Sequence, residues 1–196
     1  MAKPTTPEGI LSYPRLFDPK RNDLNGKDEY SCVLVFPPNT DISAMKALVE
    51  QAAERKFGKD RTKWPKGLRS PFRACSERAQ EVDGKQVYPD GYVEGGIYVS
   101  FRSTNRPAVV NPDLSPCSDP VQAYAGRWAR VSFSCYAYEK KGNKGVAFGL
   151  GNVQLLRDGK PIGGVYSTPE QDFVAVQLDA GTGAPTAPKT SNDLWS

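Results

Sequence analysis

The alternation of apolar and polar positions in residues 127–157 predicts a long β-hairpin. From Trp128 to Tyr138 the side chains alternate with a period of two, the spacing of a pleated strand. The face predicted to point into a core carries Ala129, Val131, Phe133, Cys135 and Ala137. Between Glu139 and Gly145, two glycines and an asparagine favour a reversal of the chain.

The return strand shows a break in its pattern that indicates a β-bulge. The residues in one phase are Val146, Phe148 and Leu150, and those in the other are Val153 and Leu155. Glycines lie at the break. Small barrels use β-bulges beside such glycines to bend a strand around a corner. The hairpin is therefore predicted to be part of a barrel. Phe148 can lie in the core or on an outer platform, and its phase favours the core.

The rest of the chain predicts further strands and one helix. We expect strands over residues 9–17, 29–36, 92–102 and 105–111, the first ending at Asp18-Pro19. Apolar residues at intervals of three and four predict an amphipathic helix. We expect the helix to begin after a cap at Thr40 or Asp41 and to end near Phe57. We expect it to pack on the barrel.

Two predicted strands carry aromatic and basic side chains on the face away from the core. In the first strand of the hairpin these are Trp128, Arg130, Tyr136 and Tyr138, and in residues 92–102 they are Tyr92, Tyr98 and Arg102. One exposed tyrosine usually packs over a neighbouring side chain. Two strands with the same composition favour a binding surface.

Residues 55–78 form a basic segment with two interpretations. They contain nine Lys and Arg residues and only two acids, with three aromatic residues among them. Such a segment can be a solvated face. It can also flank a nucleic-acid groove, in which Lys63 contacts phosphate and Trp64 stacks on a base.

Charge divides the chain into a basic body and an acidic tail. Residues 1–164 contain 25 Lys and Arg against 18 Asp and Glu, whereas residues 165–196 contain one lysine and four acids. The second segment is rich in Gly, Pro, Thr and Ala, a composition typical of flexible linkers. We therefore predict a folded domain over residues 1–164 and a flexible tail over 165–196. The terminal Asp193, Leu194 and Trp195 suit a short peptide that docks on partner proteins.

Composition limits the chemistry that the protein can perform. It has no histidine, which removes the commonest general base and the usual partner of Ser and Cys nucleophiles. The four cysteines are widely spaced and form no CxxC pair, so we expect structural thiols and neither a metal nor an organic cofactor. No apolar run approaches the length of a membrane span or of a signal sequence, which predicts a soluble protein of the cytosol.

Exposed rings beside cations are what binding of single-stranded nucleic acid requires. Unstacked bases need aromatic surfaces, and phosphates need positive charge. The candidate stacking residues are Tyr92, Tyr98, Trp128, Tyr136 and Tyr138, and the candidate phosphate contacts are Arg102, Arg130, Lys141 and Lys144. No helix-turn-helix or zinc finger for reading a duplex is recognisable. The residues alone do not distinguish DNA from RNA.

Three segments carry a family resemblance that spans Gly9 to Gly164. They are LSYPRLFDP, RPAVVNP and QAYAGRWARVSFSCYAYEKKGNKGVAFGLGNVQLLRDG. With them the chain resembles the OB-fold single-stranded DNA-binding proteins of tailed bacteriophages. The resemblance implies a mainly β fold, a five-stranded barrel with long loops, and sequence-tolerant binding of single-stranded DNA. It further implies a role in phage DNA replication, recombination or repair in the cytoplasm of the infected bacterium. The resemblance also implies that the acidic, aromatic tail of the chain docks phage or host replication and recombination proteins.

Two other functions compete with this hypothesis. Pro89-Asp90 and Glu139-Lys140-Lys141 can be interpreted as the two halves of a metal-dependent nuclease motif, although each lies in a predicted turn. The barrel can also be an OB-type module that binds RNA, oligosaccharide or only protein. The basic charge argues against neutral sugars.

Overall fold

A computed structural model describes residues 3–23, 25–140, 142–163 and 173–174. The strands are β1 (Gly9–Asn22), β2 (Lys27–Phe36), β3 (Arg73–Ala74), β4 (Gln80–Val82), β5 (Lys85–Val87), β6 (Ile97–Ser103), β7 (Val109–Val110), β8 (Trp128–Lys140) and β9 (Asn143–Leu155). The α-helix is α1 (Ser43–Phe57), and short 3₁₀ helices cover Arg61–Lys63, Cys75–Arg78 and Pro120–Ala123. The chain divides into two compact units, Met1–Gly164 and Val165–Ser196, and all these elements belong to the first.

Five of the strands close into a barrel. The main sheet has the order β3-β6-β2-β1-β8-β9-β7, and β6 also pairs with β9, which joins β1, β2, β6, β9 and β8 into a ring. The β6–β9 pair is parallel, whereas the other pairs of the ring are antiparallel. Residues before β1 extend its contact with β8, since the amide of Thr6 donates to the carbonyl of Val131 at 2.9 Å. The predicted five-stranded OB-like barrel is confirmed.

The barrel core consists of the side chains that alternation predicted to point inward. The rings of Phe101, Phe133 and Phe148 pack together with centroid distances of 5.0 to 6.0 Å. Phe148 is 2% exposed, so its assignment to the core is confirmed. Cys135 and Ala137 are only partly buried, and both pack against a second cluster that α1 supplies.

The predicted bulge lies where the hydrophobic phase changes. Val131 pairs with Val153 and Phe133 pairs with Leu150, so Ser132 alone faces two residues of β9. The Ser132 hydroxyl accepts a hydrogen bond from the amide of Asn152 at 2.7 Å. This bond satisfies a backbone group that the irregular register leaves without its ladder partner.

Helix α1 packs on the inner side of the hairpin near its turn. Val49, Ala52 and Ala53 contact a cluster that includes Val146 of β9. The predicted cap at Thr40 or Asp41 is wrong, because the N-cap residue is Ile42, which makes no side-chain capping bond. Asp41 still accepts a hydrogen bond from the amide of Ser43 at 2.9 Å.

Three predicted strands have bounds that are wrong by more than two residues. Strand β1 continues past Asp18-Pro19 to Asn22, because its last residues pair with Lys27–Glu29 at the start of β2. The strand predicted from residue 92 begins only at Ile97, because a turn in which the amide of Tyr92 bonds to the carbonyl of Pro89 occupies the preceding residues. The first error arises where pairing with a distant segment outweighs local turn signals, and the second where a local turn outweighs alternation. The strand predicted over residues 105–111 is reduced to β7.

Burial makes the thiols of Cys32 and Cys135 poorly reactive. Burial raises the pKa of Cys32 to about 12, and burial raises that of Cys135 to about 11, with a small opposing effect of the charge of Arg55. A thiol with so high a pKa is a poor nucleophile at neutral pH.

In the part of the chain that the structure describes, no helix is long and apolar enough to cross a membrane.

Candidate nucleic-acid interface

A row of polar and small residues crosses the outer face of the barrel. Register pairs Arg15 with Ser31, Ser31 with Arg102, Arg102 with Gly149 and Gly149 with Ser134. The row therefore runs through all five strands of the ring, in the order β1, β2, β6, β9 and β8. Side chains of paired residues lie on the same face of a sheet, so these five form a continuous floor.

Two hollows flank this floor and share Ser31 and Arg102. The basic hollow is lined by Arg15, Lys20, Arg21, Asn22, Asp23, Glu29, Ser31 and Arg102. The tyrosine hollow is lined by Tyr13, Ser31, Cys32, Val33, Arg78, Ser100 and Arg102. Together they hold five cationic side chains against two carboxylates, which gives this side of the barrel a positive potential suited to phosphates.

A carboxylate within the basic hollow organises the cations around it. Glu29 accepts hydrogen bonds from the side-chain amides of Asn22 at 2.8 Å and Asn25 at 2.7 Å. Its carboxylate lies 3.9 Å from the guanidinium of Arg102, whose side chain is 61% exposed. Burial raises the pKa of Glu29, but the two hydrogen bonds and the charges of Arg102 and Lys27 outweigh it, so the pKa is lowered. Glu29 thus stays ionised and connects the β1–β2 turn to β6.

Tyr136 offers an aromatic surface beside the floor. Its side chain is 50% exposed. Gly149 leaves it room, because a Cβ there would collide with the Ser134 hydroxyl and lie 3.8 Å from the Tyr136 ring. Burial, and then the charges of Glu29 and Tyr138, raise the pKa of Tyr136 despite the opposing charge of Arg102. At neutral pH the residue is therefore an uncharged ring near the cation Arg102, able to stack on a base.

The turn of the hairpin continues this surface. Tyr138 is half-buried, and its hydroxyl lies close to the backbone of Gly145. The Lys144 ammonium is 2.9 Å from the carboxylate of Glu139, so it forms a surface ion pair. Surface pairs of this kind contribute little to stability, and a phosphate can compete for the lysine.

Trp128 and Arg130 lie at the opposite end of β8. Trp128 is half-buried, and the guanidinium carbon of Arg157 lies 3.9 Å from the centre of its ring. Arg157 also pairs with Glu8, and Arg130 donates to the side-chain oxygen of Gln154 at 2.7 Å. The eight residue-to-residue steps from Trp128 to Tyr136 span about 26 Å of strand. The predicted hairpin residues therefore divide into two separate groups.

The expectation that Tyr92 and Tyr98 form an open stacking surface is wrong. Each is 5% exposed, and their rings pack edge to face with centroids 5.5 Å apart. They belong to a small cluster with Val33, Val35 and Cys75. The outer face of β6 is covered here because the segment after β3 brings Cys75 and Arg78 against Tyr98.

The structure places Lys63 and Trp64 beside α1, away from the two hollows. The Trp64 indole donates to the carbonyl of Gly58 at 2.7 Å and packs with Ala52 and Ala53. The exposed Lys63 ammonium is 3.4 Å from the carboxylate of Asp60. Their contact with nucleic acid stays a prediction. Four other predicted residues lie outside the described residues: Lys141, Asp193, Leu194 and Trp195.

Several residues of the hollows lack a clear signal in the sequence. Lys20 and Arg21 stand in a segment with the composition of a turn, and only their pairing with β2 makes them part of a long strand. Tyr13 and Arg78 are far apart in sequence, and the pairing of β1 with β2, of β2 with β6 and of β6 with β3 brings them together. The adjacent cations at 20 and 21 are the one local signal for this surface.

The two halves of the nuclease motif are separated. Asp90 lines a small cavity with Trp128, at the start of β8, whereas Glu139 lies at the other end of that strand. Eleven residues of strand correspond to about 36 Å, too far for shared ligands of one metal ion. Among the described residues no group of three His, Cys, Asp or Glu side chains could hold a metal.

Known proteins share this fold. The single-stranded DNA-binding protein from bacteriophage Enc34, solved in complex with single-stranded DNA, has 22% identity and a TM-score of 0.61, over 81% of this chain and 88% of that chain. A C-terminal truncation of that protein has 23% identity and a TM-score of 0.60, over 81% and 87%. The gp2.5 single-stranded DNA-binding protein of bacteriophage T7 has 16% identity and a TM-score of 0.55, over 88% and 97%.

Family membership rests on the sequence itself. No curated protein matches the chain. The family described as "Enterobacter phage Enc34, ssDNA-binding protein" matches residues 5–182, which include the whole barrel. The match covers most of the chain, including the parts of β1, β2 and β6 that line the two hollows. The chain therefore belongs to the Enc34 family of phage single-stranded DNA-binding proteins.

Proposed function

We propose that the protein binds single-stranded DNA along the floor between the basic and tyrosine hollows. The observation that carries the proposal is the row Arg15–Ser31–Arg102–Gly149–Ser134, which has cations on its flank and the ring of Tyr136 beside it. The outer face of the second and third barrel strands is the surface that OB folds use for oligonucleotides. In this chain those strands are β2 and β6.

Phosphates and bases are held by different groups on this surface. Arg15, Lys20, Arg21 and Arg102 supply positive charge for the backbone. Tyr136 and Tyr138 supply rings on which bases stack, with each stack contributing about 1 to 3 kcal/mol. Every base has an aromatic face, so such a surface tolerates any sequence. Lys144 and Lys141 at the hairpin turn are further candidates for phosphate contacts.

The biological setting is part of the proposed function. We assign the protein to phage DNA replication, recombination or repair in the cytoplasm of the infected bacterium, where it coats single strands and performs no catalysis. Its membership of a phage family, and the phage proteins that share its fold, support this role.

A binding titration tests the proposal directly. Fluorescence anisotropy of labelled oligo-dT is measured at two salt concentrations, with a duplex of equal length and the matching oligo-U as competitors. We expect tight binding of oligo-dT that weakens as salt rises, and little competition by the duplex. Absence of oligo-dT binding at low salt would refute the proposal. Equal competition by oligo-U would extend it to RNA.

We further propose that residues 165–196 dock partner proteins through Asp193, Leu194 and Trp195. The segment carries four acids and one lysine, against the basic balance of residues 1–164. Its removal takes negative charge away from a protein that binds a polyanion, so we expect oligo-dT affinity to stay equal or to increase. A clear loss of affinity in the shortened chain would show that these residues contribute to DNA binding.

A further inference from the structure

Tyr13 has a backbone conformation that the fold alone does not explain. Its φ is 45°, in the left-handed region, and its side chain is 61% exposed. It lies within β1, where the pairing with β2 breaks between Ser12 and Arg15. A bulky residue in this region is strained by about 1 to 3 kcal/mol, and an exposed ring regains little of that by burial. Such strain in a strand facing a hollow points to a role in binding.

The groups around Tyr13 are those that a nucleotide would require. The tyrosine hollow encloses about 310 Å³ and contains two guanidinium groups, from Arg78 and Arg102, and two hydroxyls, from Ser31 and Ser100. Guanidinium groups bind phosphates with two parallel hydrogen bonds, and hydroxyls can donate to phosphate or sugar oxygens. Tyr13 contributes the aromatic face in the same space.

The buried tyrosine pair holds Arg78 in this hollow. The guanidinium carbon of Arg78 lies 5.2 Å from the centre of the Tyr98 ring. Hydrogen bonding with Tyr98, followed by the charges of Tyr98, Tyr92 and Tyr13, raises the pKa of Arg78 despite partial desolvation. Tyr98 is itself fixed by packing against Tyr92. An arginine ordered in advance loses less side-chain entropy when a ligand binds.

We infer that Tyr13, Arg78 and Arg102 form a nucleotide subsite of the DNA surface. Tyr13 stacks on one base, the two arginines bind the adjacent phosphate, and Ser31 and Ser100 hydrogen-bond to the sugar–phosphate backbone. Tyr98 is a positioning residue that acts through Arg78, and it does not touch the DNA. This inference rests on the proposed binding of single-stranded DNA and assigns part of it to particular residues.

The first test separates binding from folding at Tyr13. Tyr13→Gly removes the ring and also relieves the positive φ, so we expect oligo-dT affinity to fall at least about fivefold while the melting temperature stays equal or rises. Tyr13→Phe should bind within about twofold of the wild type, because it keeps the ring. Leu114→Gly is the matched control, since Leu114 also has a positive φ of 69° and is 68% exposed but lies outside both hollows.

The outcomes of this test are distinct. Leu114→Gly should match Tyr13→Gly in its thermal effect and leave DNA binding unchanged. If Tyr13→Gly binds oligo-dT as the wild type does, the stacking role is refuted. If Tyr13→Gly melts far lower than the wild type, Tyr13→Leu is tested instead, because it keeps an apolar side chain without a ring. Full binding of oligo-dT by Tyr13→Leu would equally refute the stacking role of Tyr13. Failure of the wild type to bind would instead refute the proposed function.

The second test asks whether Tyr98 acts through Arg78. Arg78→Gln should reduce the slope of log affinity against log salt by about one unit, the effect of losing one phosphate contact. Tyr98→Leu should reduce the slope similarly, and Tyr98→Phe should retain most of the wild-type slope. The double variant Tyr98→Leu/Arg78→Gln should have the same slope as Arg78→Gln alone. If Tyr98→Leu lowers only the melting temperature, or if the two changes add fully, the positioning role is refuted.

Discussion

The two ends of strand β8 look alike in sequence and differ in the structure. Each end presents an aromatic residue and an arginine nearby on the outer face of the barrel. At the Trp128 end, Arg157 covers the ring at 3.9 Å and Gln154 binds Arg130. At the Tyr136 end, the ring is 50% exposed beside a glycine, and Arg102 is 61% exposed.

The difference shows what makes an aromatic residue available to a ligand. Alternation decides which face of a strand a ring occupies, but distant segments decide whether that face is already covered. Arg157 and Glu8 come from opposite ends of the described barrel and meet over Trp128. Gly149, on the neighbouring strand, has the reverse effect, because its missing side chain leaves Tyr136 open. We therefore propose that the Tyr136 end contacts DNA and that the Trp128 end stabilises the barrel.

The largest expected effect is on DNA affinity. The double variant Arg102→Gln/Tyr136→Ala loses one stack and one phosphate contact, so its affinity for oligo-dT should fall on the order of 100-fold at low salt. The matched variant Arg130→Gln/Trp128→Phe should change the affinity less than about twofold, because neither residue borders the hollows. Anisotropy titration of both variants checks this. Equal losses would show that DNA follows the whole length of β8.

The stability of the fold should depend more on the Trp128 end than on the Tyr136 end. Trp128→Ala removes a ring that packs under Arg157, and we expect it to lower the free energy of unfolding by about 2 kcal/mol. Tyr136→Ala truncates a half-exposed ring and should cost less than about 1 kcal/mol. Urea denaturation followed by circular dichroism measures both. A larger cost at Tyr136 would mean that its ring supports the fold rather than a ligand.

Salt dependence distinguishes the arginines of the two ends. Arg102→Gln should reduce the slope of log affinity against log salt by about one unit, because one phosphate contact and its released counterion are lost. Arg130→Gln should leave the slope unchanged, since the guanidinium is already bonded to Gln154. Titrations at four salt concentrations suffice. Parallel lines for the wild type and Arg102→Gln would remove Arg102 from the interface.

The smallest expected effect concerns the carboxylate of the basic hollow. The pKa of Glu29 is lowered in the folded protein, so its charge stabilises the fold above the ordinary pKa of a glutamate, and this contribution is lost as the pH falls through the folded pKa. Glu29→Gln should therefore lower stability by about 1 kcal/mol or less at pH 7, and the difference should shrink at pH 3. Melting curves at both pH values test it. A difference that grows on acidification would contradict the assignment.

The sequence predicts the barrel better than it predicts the site. The period of two between Trp128 and Tyr138, and the phase change near Gly151, suffice for the hairpin, its bulge and its core face, because these depend on local alternation. Tyr92 and Tyr98 could not be placed correctly, since residues that cover them come from the 3₁₀ helix Cys75–Arg78, which shows no periodicity. Tyr13 and Arg78 meet only through the strand order β3-β6-β2-β1, which no local pattern indicates.

The closure of the barrel through the β6–β9 pair also has a consequence for behaviour at high concentration. Closure limits the strand edge on which a second chain can add by backbone hydrogen bonding, although β1 pairs with β8 only at Gly9 and Ile10. The edge strands that the described residues do contain in the main sheet, β3 and β7, are two residues long, too short to template such growth. If the protein coats long single strands as proposed, it must be abundant, and such short edges would then limit aggregation edge to edge.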